Sequence, residues 1–567
     1  MKPRSPITRR TFLGESSTLF AVALIGVAPA IHLPHRKRYD TIIRNGTVFD
    51  GMLGDPVEAD VAISGGRIAA VGPRLGDDAR LVIDARGLAV APGFIDIHSH
   101  ADGTMFDDPR MESIVREGIT TVIIGQDGSS RAPSGSSRGA TGIADARTDA
   151  SMDELLRSIE ALPSAANVAS MVGLGTVRHV VVGDDDRPAT AAELERMTAL
   201  VEAALASGAC GASSGLEYTP GMFASREELI ALCRPLAPRG LAYATHMRNE
   251  DDHVLVAIDE AIAVARGAGC ALEISHLKTQ GRRNWGKIDA ALARIEGARS
   301  AGLDVAFDRY PYIAYQTGLS NLFPKWSKDG GTSAFLERLA DTAQETRLRE
   351  AVLDKVDLIG GWDNVLISSV SNDSDHAAEG ERLGHYASSL GSEPYEVAVE
   401  LLTRSRGDVG MVGFAMDEKN LARFLAHPLG MVCSDGGAYA VEGPAREGHP
   451  HPRALGTFPR VLARYVREQK VLTLPQAIHK MTAYPASRVG LAAERGRLAK
   501  GFAADVVVFD PATVRDRATF ADPFQYPEGI DVVIVNGEVA LRDGERVDGE
   551  RRSGKALRPR GSPHQRG

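Results

Sequence analysis

Six residues able to bind a metal ion, His98, His100, Asp127, His246, His276 and Asp435, each close an apolar, strand-like run. A divalent cation needs several nitrogen and oxygen donors from distant parts of a chain, and a barrel of parallel strands delivers such donors at one rim. The run 89–100 ends in His-x-His. Alternate residues on a strand point the same way, so both imidazoles can grip one ion. Runs 243–246 and 272–276 each end in His, and run 430–435 ends in a carboxylate. The β-branched run 118–128 opens into a glycine-flanked acid, Asp127. Alone, Asp127 reads as a loop or capping carboxylate. In this company it reads as a bridge between two cations.

Elements that could hold these donors follow in order. Candidate strands end near His98, Gly125, Leu174, Ser214, His246, His276, Tyr310 and Asp435, with amphipathic stretches such as Ala191–Ser207 and 252–267 between them. That alternation predicts a (β/α)8 TIM-like barrel over residues 91–490. The gap between strands 7 and 8 is too long for one helix, so residues 313–420 form an insertion. Long insertions on the functional rim of a barrel are often lids. Residues 40–51 read as strand, Asn-Gly hairpin turn, strand, and residues 531–541 read the same way. With 60–71 and 504–510 they predict a small composite β-sandwich domain built from both chain ends, over 39–90 and 491–545. The tail 546–567, rich in Arg, Gly and Pro, is expected to be disordered.

Composition suits a large soluble enzyme. The chain has 567 residues, 43% hydrophobic, with a formal net charge of −9. That charge argues against nucleic acid as a partner, because neutralising phosphates needs a basic face. Four cysteines, Cys210, Cys233, Cys270 and Cys433, lack zinc-finger spacing and read as buried small hydrophobes. Residues 8–13, Thr-Arg-Arg-Thr-Phe-Leu, resemble a twin-arginine export signal, followed by an apolar stretch and Ala28-Pro29-Ala30 as a small-residue cleavage site. Residues 1–30 are therefore expected to be a signal peptide, placing the mature protein in the periplasm or outside the cell. No stable membrane span is expected after signal removal.

The chain resembles the amidohydrolase superfamily, and within it the D-aminoacylase (N-acyl-D-amino-acid deacylase) family. The resemblance rests on residues 92–100, on Thr245-His246-Met247-Arg248-Asn249-Glu250, on Ile274-Ser275-His276-Leu277-Lys278, on Tyr310-Pro311-Tyr312, on Ser434-Asp435-Gly436 and on residues 451–460. It spans nearly everything from Tyr39 to about Glu545. It implies one or two divalent cations, zinc in the first instance. His98 and His100 would bind the first ion, His246 and His276 the second, and Asp127 would bridge them. Asp435 would touch the first ion and shuttle the proton from water to the departing amine. The family places a bridging cysteine where this chain has Asp127, and a carboxylate is a harder ligand than a thiolate.

Substrate contacts are thinner in the sequence. Lys278, two residues past His276, offers a cation to a substrate carboxylate. Arg453, Tyr312 and Tyr218 would help by family analogy. Glu217 follows the fourth strand, where it either meets a positive group on the acyl side, such as the free amine of a dipeptide, or pairs with Arg248. The expected reaction is hydrolysis of an N-acyl-D-amino acid, or of a dipeptide with a C-terminal D residue; the D preference comes from the resemblance alone. Two alternatives compete. A cyclic-amide hydrolase of the hydantoinase or dihydroorotase type would use a carboxylated lysine on the fourth strand, and residues 210–215 hold no lysine. A non-catalytic protein of the same fold would not need four histidines and Asp435.

Overall fold

A computed structural model describes residues 38–76, 78–133, 150–547 and 553–559. The expected signal at 1–30 lies outside them. The chain folds as a mixed α/β structure. Its parallel strands are β1 (Phe94–Asp96), β2 (Ile119–Ile124), β3 (Asn167–Ser170, then Val172–Gly173 beyond Met171), β4 (Gly211–Gly215), β5 (Ala242–His246), β6 (Ala271–Ile274), β7 (Val305–Arg309) and β8 (Gly430–Val432). The first part of β3 closes a three-stranded sheet with β1 and β2. The second part opens a six-stranded sheet that runs through β4, β5, β6 and β7 to β8. Beyond the strand ends, Asp435 N donates to His98 O at 2.9 Å and His100 N donates to Gly436 O at 2.9 Å.

Helices follow the strands as the amphipathic pattern predicts. Ala191–Ser207 begins with a full capping box, Thr190 with Glu193, and ends at Gly208 in the left-handed conformation. Val254–Ala268 buries Ala257, Ile258, Ala261 and Ala265 against the sheet. Among the described residues, no helix is long and apolar enough to cross a membrane.

Nine strands from both chain ends form one sheet. Val506–Phe509 pairs antiparallel with Ala89–Pro92, which joins the C-terminal hairpin to the N-terminal strands. Two expectations change here. The same dipeptide, Asn-Gly, does different things at the two ends. Asn536-Gly537 turns the hairpin Ile530–Val535 to Glu538–Arg542, with both residues at positive φ. Asn45-Gly46 is not a hairpin turn but a bulge inside one strand, Tyr39–Val48, because Asp60 Oδ1 accepts from Asn45 N and Val90 packs on Gly46. The run 89–100 is likewise not one strand. Ala89–Pro92 belongs to the nine-stranded sheet and β1 to the parallel sheet. The change of sheet falls at Gly93, where a Cβ would lie 2.3 Å from Thr120.

The tail is the third correction. Residues 553–559 are not disordered. They lie beside β3, where Leu557 N donates to Val168 O at 2.8 Å and Val168 N to Lys555 O at 2.9 Å. Leu557 is buried there. A buried apolar contact and two backbone bonds outweigh what the Arg-, Gly- and Pro-rich composition suggests.

The insertion after β7 carries its own antiparallel sheet, in the order Ala314–Gly318, Val409–Phe414, Val365–Val370. Helices Gly331–Ala340 and Glu345–Ile359 pack beside it, where Phe335, Val352 and Val356 join Met411 and Leu401 in one apolar cluster. That cluster continues through Tyr310 to Ile95, Ala169 and Met431, so the insertion is packed onto the strand ends rather than hung from them.

Gly93→Ala tests the junction between the two sheets. Overpacking of this kind costs roughly 1–3 kcal/mol, so calorimetry should show a lower melting temperature, partly restored by adding Thr120→Ala. An unchanged melting temperature would show that the contact relaxes freely.

Candidate metal centre

Strand ends deliver the donors. His98 and His100 fall just past β1, held in place by Ser99 N donating to Ile123 O and by the bonds to Asp435 and Gly436. Asp127 follows β2, His246 ends β5, His276 follows β6 and Asp435 follows β8. Asp127, His276 and Asp435 all take positive φ, at 51°, 33° and 52°. Such backbone is unfavourable for residues with a Cβ and persists where surroundings enforce it, most often at functional sites. Around Asp127 the surroundings are glycine-lined. A Cβ on Gly215 would sit 2.0 Å from Asp127 O, and one on Gly128 would sit 2.5 Å from Gly215 N.

Asp127 lies among four imidazoles. Its Oδ1 is 3.4 Å from His98 Nε2 and 3.5 Å from His276 Nε2, and its Oδ2 is 3.5 Å from His100 Nε2 and 3.9 Å from His246 Nδ1. Asp435 Oδ1 lies 3.5 Å from His98 Nε2 and 3.0 Å from His100 Nε2. All are buried except His100, which is partly exposed. Ligand atoms of His98, Asp127, His276 and Asp435 lie within 4.8 Å of one another, as do those of His246, Glu250 and His276. Both ring nitrogens of His98, and Asp127 Oδ1, are buried without a hydrogen-bond partner. Buried polar atoms left unpaired call for an explanation, and one or two divalent cations supply it.

The electrostatics agree. Burial opposes ionisation of Asp127, but His98, His276 and His100 hold its carboxyl well below the usual range. Burial would lower the imidazoles, yet Asp127 and Asp435 raise His100 to about 10, and Glu250, Glu217 and Asp127 raise His246 to about 9. The carboxylates draw positive charge into the cluster. In the metal-free protein that charge is protons, which a bound cation displaces.

Surrounding carboxylates orient the rings. Glu250 Oε1 lies 3.1 Å from His276 Nδ1, leaving Nε2 turned to Asp127. Glu217 Oε2 lies 3.3 Å from His246 Nε2, leaving Nδ1 turned inward. Asp308 Oδ1 accepts from His276 N at 2.8 Å, and Asp96 accepts from Ser434 N at 2.9 Å beside Asp435. Carboxylate partners of this kind fix ring orientation and raise ligand basicity. Glu250, Asp308 and Asp96 escape the sequence reading, although Glu250 stands four residues past His246 and Asp96 two before His98.

The remaining sequence candidates divide. Lys278 is buried, with Nζ 2.6 Å from both oxygens of Glu250 and 2.8 Å from His276 Nδ1, so its charge is already matched. Arg453 Nη1 lies 2.7 Å from Asp435 Oδ2, and its Nε has no partner. Tyr218 OH is 3.4 Å from His246 Nδ1. Tyr312 turns away: its OH donates to Pro452 O at 3.3 Å. Tyr310 lines the cavity over the cluster instead, with its hydroxyl unpartnered and the Arg453 guanidinium 4.7 Å from its ring centre. Glu217 does not pair with Arg248, which binds Glu260 at 2.9 Å and the carbonyls of Met222 and Ala224.

Buried imidazoles and carboxylates converging at the ends of parallel strands are the equipment of a hydrolytic metal enzyme. The amidohydrolase family model matches residues 81–347 and 447–541, and the chain belongs to that family. Its similarities are to deacylases. An N-acyl-D-glutamate deacylase of Alcaligenes xylosoxydans xylosoxydans is 38% identical over 506 residues, 88% of this chain and 93% of the relative. A D-aminoacylase of the same organism is 36% identical over 513 residues, 88% of this chain and 94% of the relative. Among solved structures, N-acyl-D-glutamate deacylase from Bordetella bronchiseptica, in complex with zinc and a phosphonate mimic of the tetrahedral intermediate, matches with TM-score 0.79 and 36% identity, covering 92% of this chain and 99% of that one. A D-hydantoinase matches with TM-score 0.54 at 17% identity, which speaks to the fold alone.

Two outcomes test the centre. His276→Ala removes a donor common to both groups, so zinc content by elemental analysis and catalytic activity should fall together; full activity with normal zinc would remove His276 from the site. Zinc binding to the metal-free protein at pH 8 should release on the order of one to two protons, because His100 (about 10) and His246 (about 9) are protonated below their raised pKa values and must be neutral to bind metal. Calorimetry in buffers of different ionisation enthalpy measures this, and no proton release would contradict it.

Proposed function

We propose that this protein is a metal-dependent enzyme that hydrolyses the amide bond of N-acyl-D-amino acids and releases the free D-amino acid. The observation that carries the reading is Asp127, buried among four imidazoles with an unpaired oxygen. The relatives named as N-acyl-D-glutamate deacylase and D-aminoacylase supply the substrate class. We read the two parallel sheets as one (β/α)8 barrel, since they meet through Met171 in β3 and the bonds between His98, His100 and the segment after β8 link first strand to last. The nine-stranded sheet is read as the composite β-sandwich domain, and the insertion as the roof of the active site.

A divalent cation held by His98, His100, His246, His276, Asp127 and Asp435 would polarise the acyl oxygen and lower the pKa of water. Asp435 is read as the group that takes the proton. Burial opposes its ionisation, but Arg453 and the neighbouring imidazoles keep it a carboxylate far below neutral pH. Arg453 on Oδ2 and His100 on Oδ1 hold it in one orientation, from which it accepts a proton from water and returns it to the leaving nitrogen. The unpaired Nε of Arg453 and hydroxyl of Tyr310 offer donors for the substrate's α-carboxylate. Lys278 acts first through Glu250 and His276, as a positioning residue.

The dipeptide version of this reaction needs a free carboxylate at Glu217. That carboxylate bonds to His246, so simple N-acyl substrates are favoured. A cyclic-amide hydrolase is disfavoured by β4, Gly-Ala-Ser-Ser-Gly, which has no lysine to carboxylate. The twin-arginine pattern at 8–13 supports export of the folded enzyme to the periplasm or beyond.

Asp435→Asn keeps shape and loses the base. General acid–base groups contribute about 10²- to 10⁴-fold, so turnover of zinc-loaded protein on N-acetyl-D-amino acids should fall by at least about a hundredfold while the melting temperature changes little. Wild-type turnover across the pH range would make Asp435 a structural ligand, and equal release from L substrates would overturn the stereochemical assignment.

A further inference from the structure

Most cations around the centre come with matched carboxylates, and among the described residues two do not: Arg309, which donates to Tyr312 O at 2.7 Å and stacks on Tyr310, and Lys328. Lys278 has Glu250, Arg453 has Asp435 and Lys355 has Asp251 at 2.6 Å. Lys328, carried by the insertion, is buried at 8% exposure, and among the described residues no carboxylate lies within ion-pair distance of it. Its Nζ donates one hydrogen bond, to Asn321 Oδ1 at 3.0 Å, and an ammonium has three donors. Burial pushes its pKa down to about 8. Glu217, the acid that acts on it electrostatically, is already bonded to His246.

The turn that carries Lys328 is fixed. Arg338 Nη1 binds the carbonyls on either side of it, Ser327 O at 3.0 Å and Asp329 O at 2.5 Å. Asp186 N donates to Asp329 Oδ1 at 2.7 Å, which ties the turn to the segment after helix Leu174–Val181. Lys328 lines a cleft whose walls include Asp127, Gly215, Tyr218 and Asn321. Asp127, Tyr218 and Asn321 also line the cavity over the metal cluster, so the two spaces adjoin. Arg453 and Tyr310 line only the latter. From Lys328 a chain of hydrogen bonds runs through Asn321 Nδ2 to Thr317 Oγ1 at 2.9 Å and on to Tyr218 OH at 3.3 Å, beside His246.

A buried charge without a counter-charge is costly unless a ligand brings one. We propose that Lys328 and Asn321 form a subsite for a second carboxylate of the substrate, so that this enzyme prefers N-acyl amino acids carrying two carboxylates. The proposal rests on the deacylase reading. The second carboxylate belongs either to the side chain of the amino acid or to the far end of the acyl group, and both present the same chemistry to an ammonium and an amide.

The test compares three substrates of zinc-loaded enzyme: N-acetyl-D-leucine, N-acetyl-D-glutamate and N-succinyl-D-leucine. In Lys328→Met, kcat/KM for one of the two diacids relative to N-acetyl-D-leucine should fall by about tenfold or more, the size expected for a lost charged hydrogen bond. Lys328→Arg should retain most of that preference, and melting curves of both variants show whether either is misfolded. The diacid whose ratio falls identifies which end of the substrate reaches Lys328. An unchanged ratio for both diacids in a folded Lys328→Met protein would overturn the subsite and leave the deacylase reading standing. Failure of the wild type to release amino acid from any of the three would overturn both.

Discussion

One buried carboxylate organises this protein. Asp127 places its two oxygens among His98, His100, His246 and His276, from three different strand ends, and its negative charge is what allows positive charge to collect there. Four imidazoles this close would otherwise repel as soon as two were protonated. A carboxylate at the centre turns that repulsion into a site that favours cations, whether protons or metal ions. The left-handed backbone at Asp127, His276 and Asp435 follows from the same demand, since side chains that leave a strand end must double back to meet.

Around this core the charges are arranged in pairs. Glu250 with Lys278, Asp435 with Arg453 and Glu217 with His246 each satisfy a buried group while fixing a ring or an oxygen in one orientation. Buried pairs of this kind add little net stability and a good deal of positional definition, because either partner alone would be an unpaired charge. The insertion packs over them with its own sheet and core and contributes Lys355 and Asn321 to the space above the cluster and Lys328 to the cleft adjoining it. Barrels of parallel strands carry chemistry on the loops at one face. Here the connection from β7 to β8 is the long one, and its residues line the space beside the cluster.

What was legible beforehand depended on locality. Alternation and strand length placed Ala191–Ser207, the parallel runs and the region of the insertion, because each pattern is written within about 20 residues. The order at 553–559 is not legible locally, because its partner, Val168, lies nearly 400 positions earlier. Asn45-Gly46 is ambiguous in sequence because a hairpin and a bulge share local chemistry, and only Asp60 and Val90 decide between them. Tyr312 and Tyr310 flank one proline, and no local signal says which ring faces the cluster.

By itself the sequence determined the donor set: which residue types stand at strand ends, that they suit a divalent cation, and which family carries them. Ligand identity is a property of side-chain chemistry, and strand ends are marked by short apolar runs. Tertiary structure decided everything that needs two distant segments. It selected Nδ1 of His246 and Nε2 of His276 as the inward nitrogens, gave Lys278 to Glu250 and Glu217 to His246, and left Lys328 without an acid among the described residues. A buried charge takes its role from the counter-charge beside it, and that neighbour is chosen by packing rather than by position along the chain.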